Sequence, residues 1–195
     1  MNEQDILELL KRASEGDKKS SDTLRNVTPE QALTYSEATQ MKVAHFWNES
    51  DENLTEMVKC TPLFLNCSNS KDDSIRYEAK LHLHIMVLNP ILGRDLDDDQ
   101  KKAAYQGIIE LAMLGYAPAS FMLAKLTEDK YNPQYFTGGD TVILLWYSQA
   151  VKQGYSPARD GLARFAKKLG RCTYCGGSFK GFFSKKCKLC KKKTY

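Results

Sequence analysis

The sequence predicts a mainly α fold: an α-solenoid of stacked helix hairpins, followed by a small metal-stapled β-hairpin. Three observations predict it. Apolar residues before Gly170 recur at three- and four-residue spacing, with no alternating strand pattern anywhere in 1–168. A Gly-Tyr-x-Pro-Ala signature occurs twice, 39 residues apart. Two Cys-x2-Cys pairs then lie close to the C-terminal end.

The elements follow in chain order. Asp5 to Ala13 reads as a short amphipathic helix, with Ile6, Leu9 and Leu10 on one face. Lys18 to Asn26 is polar and poor in apolar residues, so it reads as a linker or solvated turn. Thr28 caps a helix that has Pro29 just inside its start and runs through Ala32, Tyr35, Ala38, Val43 and Phe46. A helix pair is expected from Asp51 to about Asn66 and from Asp72 to Leu88. Asn89-Pro90 stops the second, because proline disfavours helical geometry at the residue before it. Asp95, Asp97, Asp98 and Asp99 open the helix carrying Ala103, Ala104, Ile108 and Leu111. Three domains are expected: an N-terminal helical segment over 1–50, helical repeats over 51–169, and a basic cysteine module over 170–195.

Composition narrows the class. At 195 residues, with 42% hydrophobic and 27% charged, the chain has enough apolar content for one or two globular cores. No apolar run reaches the roughly 18–20 residues that span a bilayer. Met1-Asn2-Glu3-Gln4-Asp5 is acidic where a secretion signal is basic, so a cytoplasmic location is expected. Six cysteines there point to metal or free thiols before disulfides. The net charge of +4 conceals a segregation. Of the 28 Lys and Arg, eleven lie in 164–195 with none of the 24 Asp and Glu, leaving 17 basic and 24 acidic residues in 1–163. The two parts therefore carry net charges of +11 and −7, and a basic face attracts phosphate or acidic protein surfaces.

The repeat is the informative feature of the body. Gly115-Tyr116-Ala117-Pro118-Ala119 recurs as Gly154-Tyr155-Ser156-Pro157-Ala158. Ala-x-x-x-Leu-Ala follows each time, with Ala119, Leu123 and Ala124 answering to Ala158, Leu162 and Ala163; a weaker copy lies at Ala79 and Leu83. Glycine tolerates the left-handed conformation that ends one helix, and proline at the first helical position starts the next. Small alanines allow close approach, with Trp146, Tyr147, Leu123, Leu162 and Phe165 filling the space between helices. A single hairpin cannot bury its own apolar face, so neighbours stack into a solenoid.

The run Trp146 to Phe165 resembles the Sel-one-like repeat, a relative of the tetratricopeptide repeat. It matches that pattern at Trp146, Tyr147, Ala150, Gly154, Ala158 and Leu162 and departs from it at Val151, Ala163 and Phe165. The copies at 107–126 and 51–88 are progressively looser. The resemblance covers about half the chain, and it implies a scaffold or adaptor holding a protein partner on the concave side of a superhelix.

Cys172, Cys175, Cys187 and Cys190 form Cys-x2-Cys-x11-Cys-x2-Cys. Two residues between thiols let both face one ion, and four thiolates close a tetrahedral structural zinc site. Glycines and aromatics in Gly176 to Ser184 suit a short β-hairpin, which together with the pairs reads as a zinc ribbon. Metal would supply much of the stability of so short a segment. Free thiols with accidental spacing and an iron–sulfur site are the rival readings. Lys180, Lys185, Lys186, Lys188, Lys191, Lys192 and Lys193, interleaved with Tyr174, Phe179, Phe182, Phe183 and Tyr195, form a candidate polyanion-binding set.

Other features favour plain readings. His82 and His84 are two apart on a helix and face different sides, which suits packing or surface roles; His45 beside Phe46 and Trp47 reads as an interface histidine. The acidic run at 95–99 lacks the glycine and glutamate of an EF-hand loop. Gly138-Gly139 lacks the Lys of a phosphate-binding loop and precedes Asp140, a plausible helix cap. Cys60 and Cys67 read as buried thiols. No catalytic constellation stands out, so no enzyme and no small-molecule substrate are expected. The leading expectation is an interaction scaffold whose repeats bind protein while the basic ribbon docks a polyanion. A nucleic-acid-binding or transcription-associated regulator is the alternative.

Overall fold

Five helix starts in the first half of the chain, at Asn2, Asp17, Thr28, Ser36 and Asp72, are marked by side chains that accept from otherwise unpaired backbone N–H groups. A computed structural model describes residues 1–49, 58–129, 139–178 and 187–192. The described residues are mainly helical and divide into two compact units, Met1–Ala104 and Tyr105–Tyr195. Residues 58–104 share a unit with the N-terminal segment, and the cysteine module shares one with the last helices.

In the first unit, α1 (Glu3–Ser14) opens on a capping box in which Asn2 Oδ1 accepts from Asp5 N at 2.9 Å. The stretch expected to be a linker is instead helix α2 (Lys18–Arg25). Asp17 caps it, and Ser20 and Leu24 are its buried positions. The Leu24 carbonyl also accepts a hydrogen bond from Trp47 Nε1 at 3.1 Å. Two inward residues per eight are too few for periodicity to reveal, but enough once the cap is in place.

The single helix expected from Pro29 to Phe46 is two. One turn, α3 (Pro29–Ala32), has Thr28 and Gln31 as its capping box. The chain then restarts at Ser36, which caps α4 (Glu37–Asn48). Buried Gln40 holds the break by donating through Nε2 to the Tyr35 carbonyl at 2.8 Å. Next come α5 (Thr61–Cys67) and α6 (Asp73–Leu88); the start of the helix expected from Asp51 lies outside the described residues. Asp72 caps α6 and Asn89 ends it, as the Asn-Pro pair predicts. Helices α4, α5 and α6 pack on one another around Val43, Trp47, Leu63, Phe64, Cys67 and Ala79, with Ile6, Leu24 and Val27 completing the core. Helix α7 (Asp98–Met113) opens on a reciprocal Asp97–Gln100 cap, in line with the acidic start expected there, and carries the boundary between units.

The second unit takes up the last turns of α7, then α8 (Ala117–Glu128), α9 (Gly139–Lys152) and α10 (Ala158–Lys168). The two Gly-Tyr-x-Pro-Ala segments end their helices in the same way. Gly115 and Gly154 have φ of 92° and 91°, in the left-handed region that glycine occupies without strain. The following N–H groups reach back five residues, Tyr116 to the Leu111 carbonyl and Tyr155 to the Ala150 carbonyl, both at 3.0 Å. The prolines differ from expectation by small offsets: Pro118 sits within the first turn of α8, whereas Pro157 is the N-cap of α10.

Helices α9 and α10 run antiparallel. Tyr147 lies over Gly161 beside Phe165, and Lys168 Nζ meets Asp140 Oδ2 at 2.7 Å at the far end from Gly154. Ala119, Leu123, Ala124, Ala150, Ala158 and Leu162 are buried. Of the aromatic pair expected to fill the hairpin, Tyr147 is buried while Trp146 is only partly covered.

Candidate metal centre

The four cysteines converge from two segments that repeat one local geometry. Cys172 N donates to the Gly177 carbonyl at 2.9 Å, and Cys187 N donates to the Lys192 carbonyl at 3.1 Å, each five residues on. The residue after each second cysteine is left-handed: Gly176 has φ 69° and Lys191 has φ 60°. The thiols of Cys172 and Cys187 each receive the N–H groups two and three residues ahead, from Tyr174 and Cys175 and from Leu189 and Cys190. These are two copies of one turn, built to surround a sulfur with N–H dipoles. The first is fixed to the helices of its unit, because Ser148 Oγ donates to the Cys175 carbonyl at 2.9 Å and Gly176 packs against Leu144 and Leu162.

All four Sγ atoms lie within 4.8 Å of one another. Cys172 and Cys190 are 3.6 Å apart, and Cys175 and Cys187 are 3.5 Å apart, far beyond a disulfide bond. Thiolates bound to zinc at about 2.3 Å in a tetrahedron stand about 3.8 Å from each other, so the set fits one such ion with little adjustment. The thiols are electrostatically unequal. Burial pushes Cys175 up to about 12 and also raises Cys172. At Cys187 burial is outweighed by hydrogen bonds from the Cys190 and Leu189 N–H groups together with those from the Cys175 and Cys172 thiols, which bring it down to about 7. The donor set suits a soft or borderline cation and leaves a four-coordinate ion no open position.

Of the candidate polyanion-binding residues, Lys188, Lys191 and Lys192 are exposed beside the second turn. Lys191 Nζ donates to the Lys188 carbonyl at 2.5 Å, and Lys192 Nζ stands 4.6 Å from the centre of the half-exposed Tyr174 ring. Lys180, Lys185, Lys186 and Lys193 lie outside the described residues, as do Phe179, Phe182, Phe183 and Tyr195 and most of the expected β-hairpin. No hairpin strand is present among the described residues.

A second cluster escaped sequence reading. His45 on α4 donates through Nε2 to Glu78 Oε1 on α6 at 2.9 Å, and the His82 ring meets the His45 ring edge-on at 4.7 Å. His82 also stacks flat on Phe64, 4.8 Å between centroids and 3° from parallel. Burial, with help from His45 and against Glu78, holds His82 down at about 4, so it is a neutral imidazole at pH 7. The missed signal was the four-residue spacing of Glu78 and His82, which puts a carboxylate and an imidazole on one helix face. Cys60 and Cys67 are buried as expected, and burial pushes them up to about 12 and about 11.

Comparison of the chain with family models, curated proteins and solved structures finds no match in any of the three. Among the described residues no helix is long and apolar enough to cross a membrane.

Proposed function

We propose that the chain is a non-enzymatic interaction scaffold, cytoplasmic, in which Sel-one-like helix hairpins form a short α-solenoid that holds a protein partner. In this reading Cys172, Cys175, Cys187 and Cys190 bind one structural zinc ion, and the zinc ribbon displays its lysines to a polyanionic surface. The observation that carries it is the paired geometry of the two cysteine turns. A closed four-thiolate site supplies cross-linking and charge neutralisation, and offers a substrate no coordination position. The like-for-like turns at Gly115 and Gly154, with Ala119 and Ala158 buried behind them, support the solenoid part.

The experiment is a comparison of the full chain with a Lys188→Glu, Lys191→Glu, Lys192→Glu variant in partner recovery, after metal analysis of both. Expected are one zinc per chain in each, and loss of an acidic or phosphate-rich partner from the variant only. Full retention of every partner would refute the role of the basic surface, and metal-free reduced protein would refute the zinc ribbon.

Tyr174 beneath Lys192 favours one second reading, a nucleic-acid-binding regulator, since an exposed ring beside a cation is a stacking platform for a base. Engagement of about five phosphates would give a log–log salt slope of roughly −3.5 to −4.5.

A further inference from the structure

We propose that His45, Glu78 and His82 form a second metal site, in the first unit, which takes a borderline divalent transition-metal ion such as zinc or cobalt(II). The inference goes beyond the scaffold reading and does not depend on it.

Four observations carry it. The three side chains come from two packed helices, and their ligand atoms all lie within 4.8 Å of one another. Two imidazoles and one carboxylate are the donor set that holds zinc when a fourth position is left to water or substrate. His45 and Glu78 already share one hydrogen bond at 2.9 Å. Ligands on one ion at bonds of about 2.0–2.1 Å stand roughly 3.3 Å apart, so replacing that proton by a metal requires little movement.

The third observation concerns His82. Its ring is fixed by stacking on Phe64 and by the edge of His45, yet neither ring nitrogen has a hydrogen-bond partner among the described residues. A part-buried polar ring without a partner is unusual in a core and is what a ligand position looks like without its ion. The fourth is access. The His45 and Glu78 side chains are 29% and 40% exposed, so an ion can reach them from solvent while Phe64 forms the apolar wall behind. The alternative is a simple hydrogen-bonded pair joining α4 to α6, with His82 as packing.

The test uses the full chain with its cysteine site first loaded with zinc, then titrated with cobalt(II) by calorimetry and visible absorption. Expected is one further equivalent whose d–d bands appear without thiolate-to-metal charge transfer, which would mark exchange into the cysteines. Two variants keep the fold. His82→Phe preserves the stack on Phe64, and Glu78→Gln preserves a hydrogen-bond partner for His45. Each should weaken the second equivalent by at least the roughly 10–100-fold that changes to a ligand's supporting shell cost. Far-ultraviolet circular dichroism checks that helicity is unchanged. The proposal is overturned if no second equivalent binds, or if either folded variant binds it as tightly as the parent.

Discussion

Gly161→Ala sets two opposed effects against each other, and the structure decides the sign. An alanine inside a helix is favoured over glycine by about 1 kcal/mol, so on propensity alone the change stabilises α10. A Cβ at Gly161 would however sit 2.4 Å from Cε1 and Cζ of Tyr147 and 2.7 Å from Cε2, far inside contact distance. The ring has nowhere to go. Tyr147 is 1% exposed, lies 6.0 Å from each of the Phe121 and Phe165 rings, and donates through its hydroxyl to Glu128 Oε2 at 2.5 Å.

Overpacking of this kind costs about 1–3 kcal/mol, and losing a hydrogen bond to a charged group adds about 1.5–3 kcal/mol if the ring swings out. After the propensity gain of about 1 kcal/mol, overpacking alone leaves about 0–2 kcal/mol of destabilisation, and loss of the Tyr147 hydrogen bond as well leaves about 1.5–5 kcal/mol. Urea unfolding followed by near-ultraviolet circular dichroism reads it as a lower midpoint. In a Tyr147→Leu background the clash is gone, and the same Gly161→Ala change should raise the midpoint. A parent protein made more stable by Gly161→Ala, or a double variant showing no coupling, would refute the packing argument.

Three further outcomes are expected. If the proposed zinc site is right, replacing any one of Cys172, Cys175, Cys187 or Cys190 by serine, or adding a strong chelator, should abolish stoichiometric zinc binding and lower the thermal midpoint; atomic absorption and calorimetry check the two effects together. Gly93→Ala should be among the most damaging single changes, because its Cβ would fall 1.9 Å from the Val87 carbonyl oxygen, a backbone atom that cannot rotate away; a soluble variant with an unchanged urea midpoint would contradict this. Asp72→Ala should lower stability at neutral pH, since hydrogen bonds from Ser74 and Ile75 hold the Asp72 carboxyl below its usual range. That stabilisation is present above the unfolded carboxylate pKa and is lost as pH falls through the depressed folded one, so the gap between parent and variant should close in acid.

What sequence reading reached, it reached through residues whose chemistry acts locally. Asp72, Asn89-Pro90 and the Asp97–Asp99 start mark helix ends because each satisfies or removes a backbone hydrogen bond on the spot. The cysteine spacing is legible for the same reason. The break at Ser36 was not, because it depends on Gln40 reaching back to the Tyr35 carbonyl from inside a core that only tertiary packing creates. Nor was the left-handed conformation of Lys191, a position where glycine would have signalled it. The His45–Glu78–His82 cluster is not legible from spacing alone, because His45 and Glu78 lie 33 residues apart on different helices that only tertiary packing brings together.

With the proposed ion bound at the four cysteines, the anchoring of the first cysteine turn on α9 and α10 would make cation availability a term in the folding equilibrium of the helices themselves. Ser148 and Leu144 belong to α9 and Leu162 to α10, so the turn that presents Cys172 and Cys175 cannot loosen without disturbing the hairpin beneath it. By mass action, an ion held only by the folded form stabilises it by about 2.7 kcal/mol at a free concentration one hundred times its dissociation constant. Reciprocity follows. A change that loosens α9 against α10, Gly161→Ala included, also weakens retention of the ion, and a scarce ion lowers the threshold at which the hairpin opens. The helices and the thiols thus report on each other's occupancy across a shared free-energy cycle.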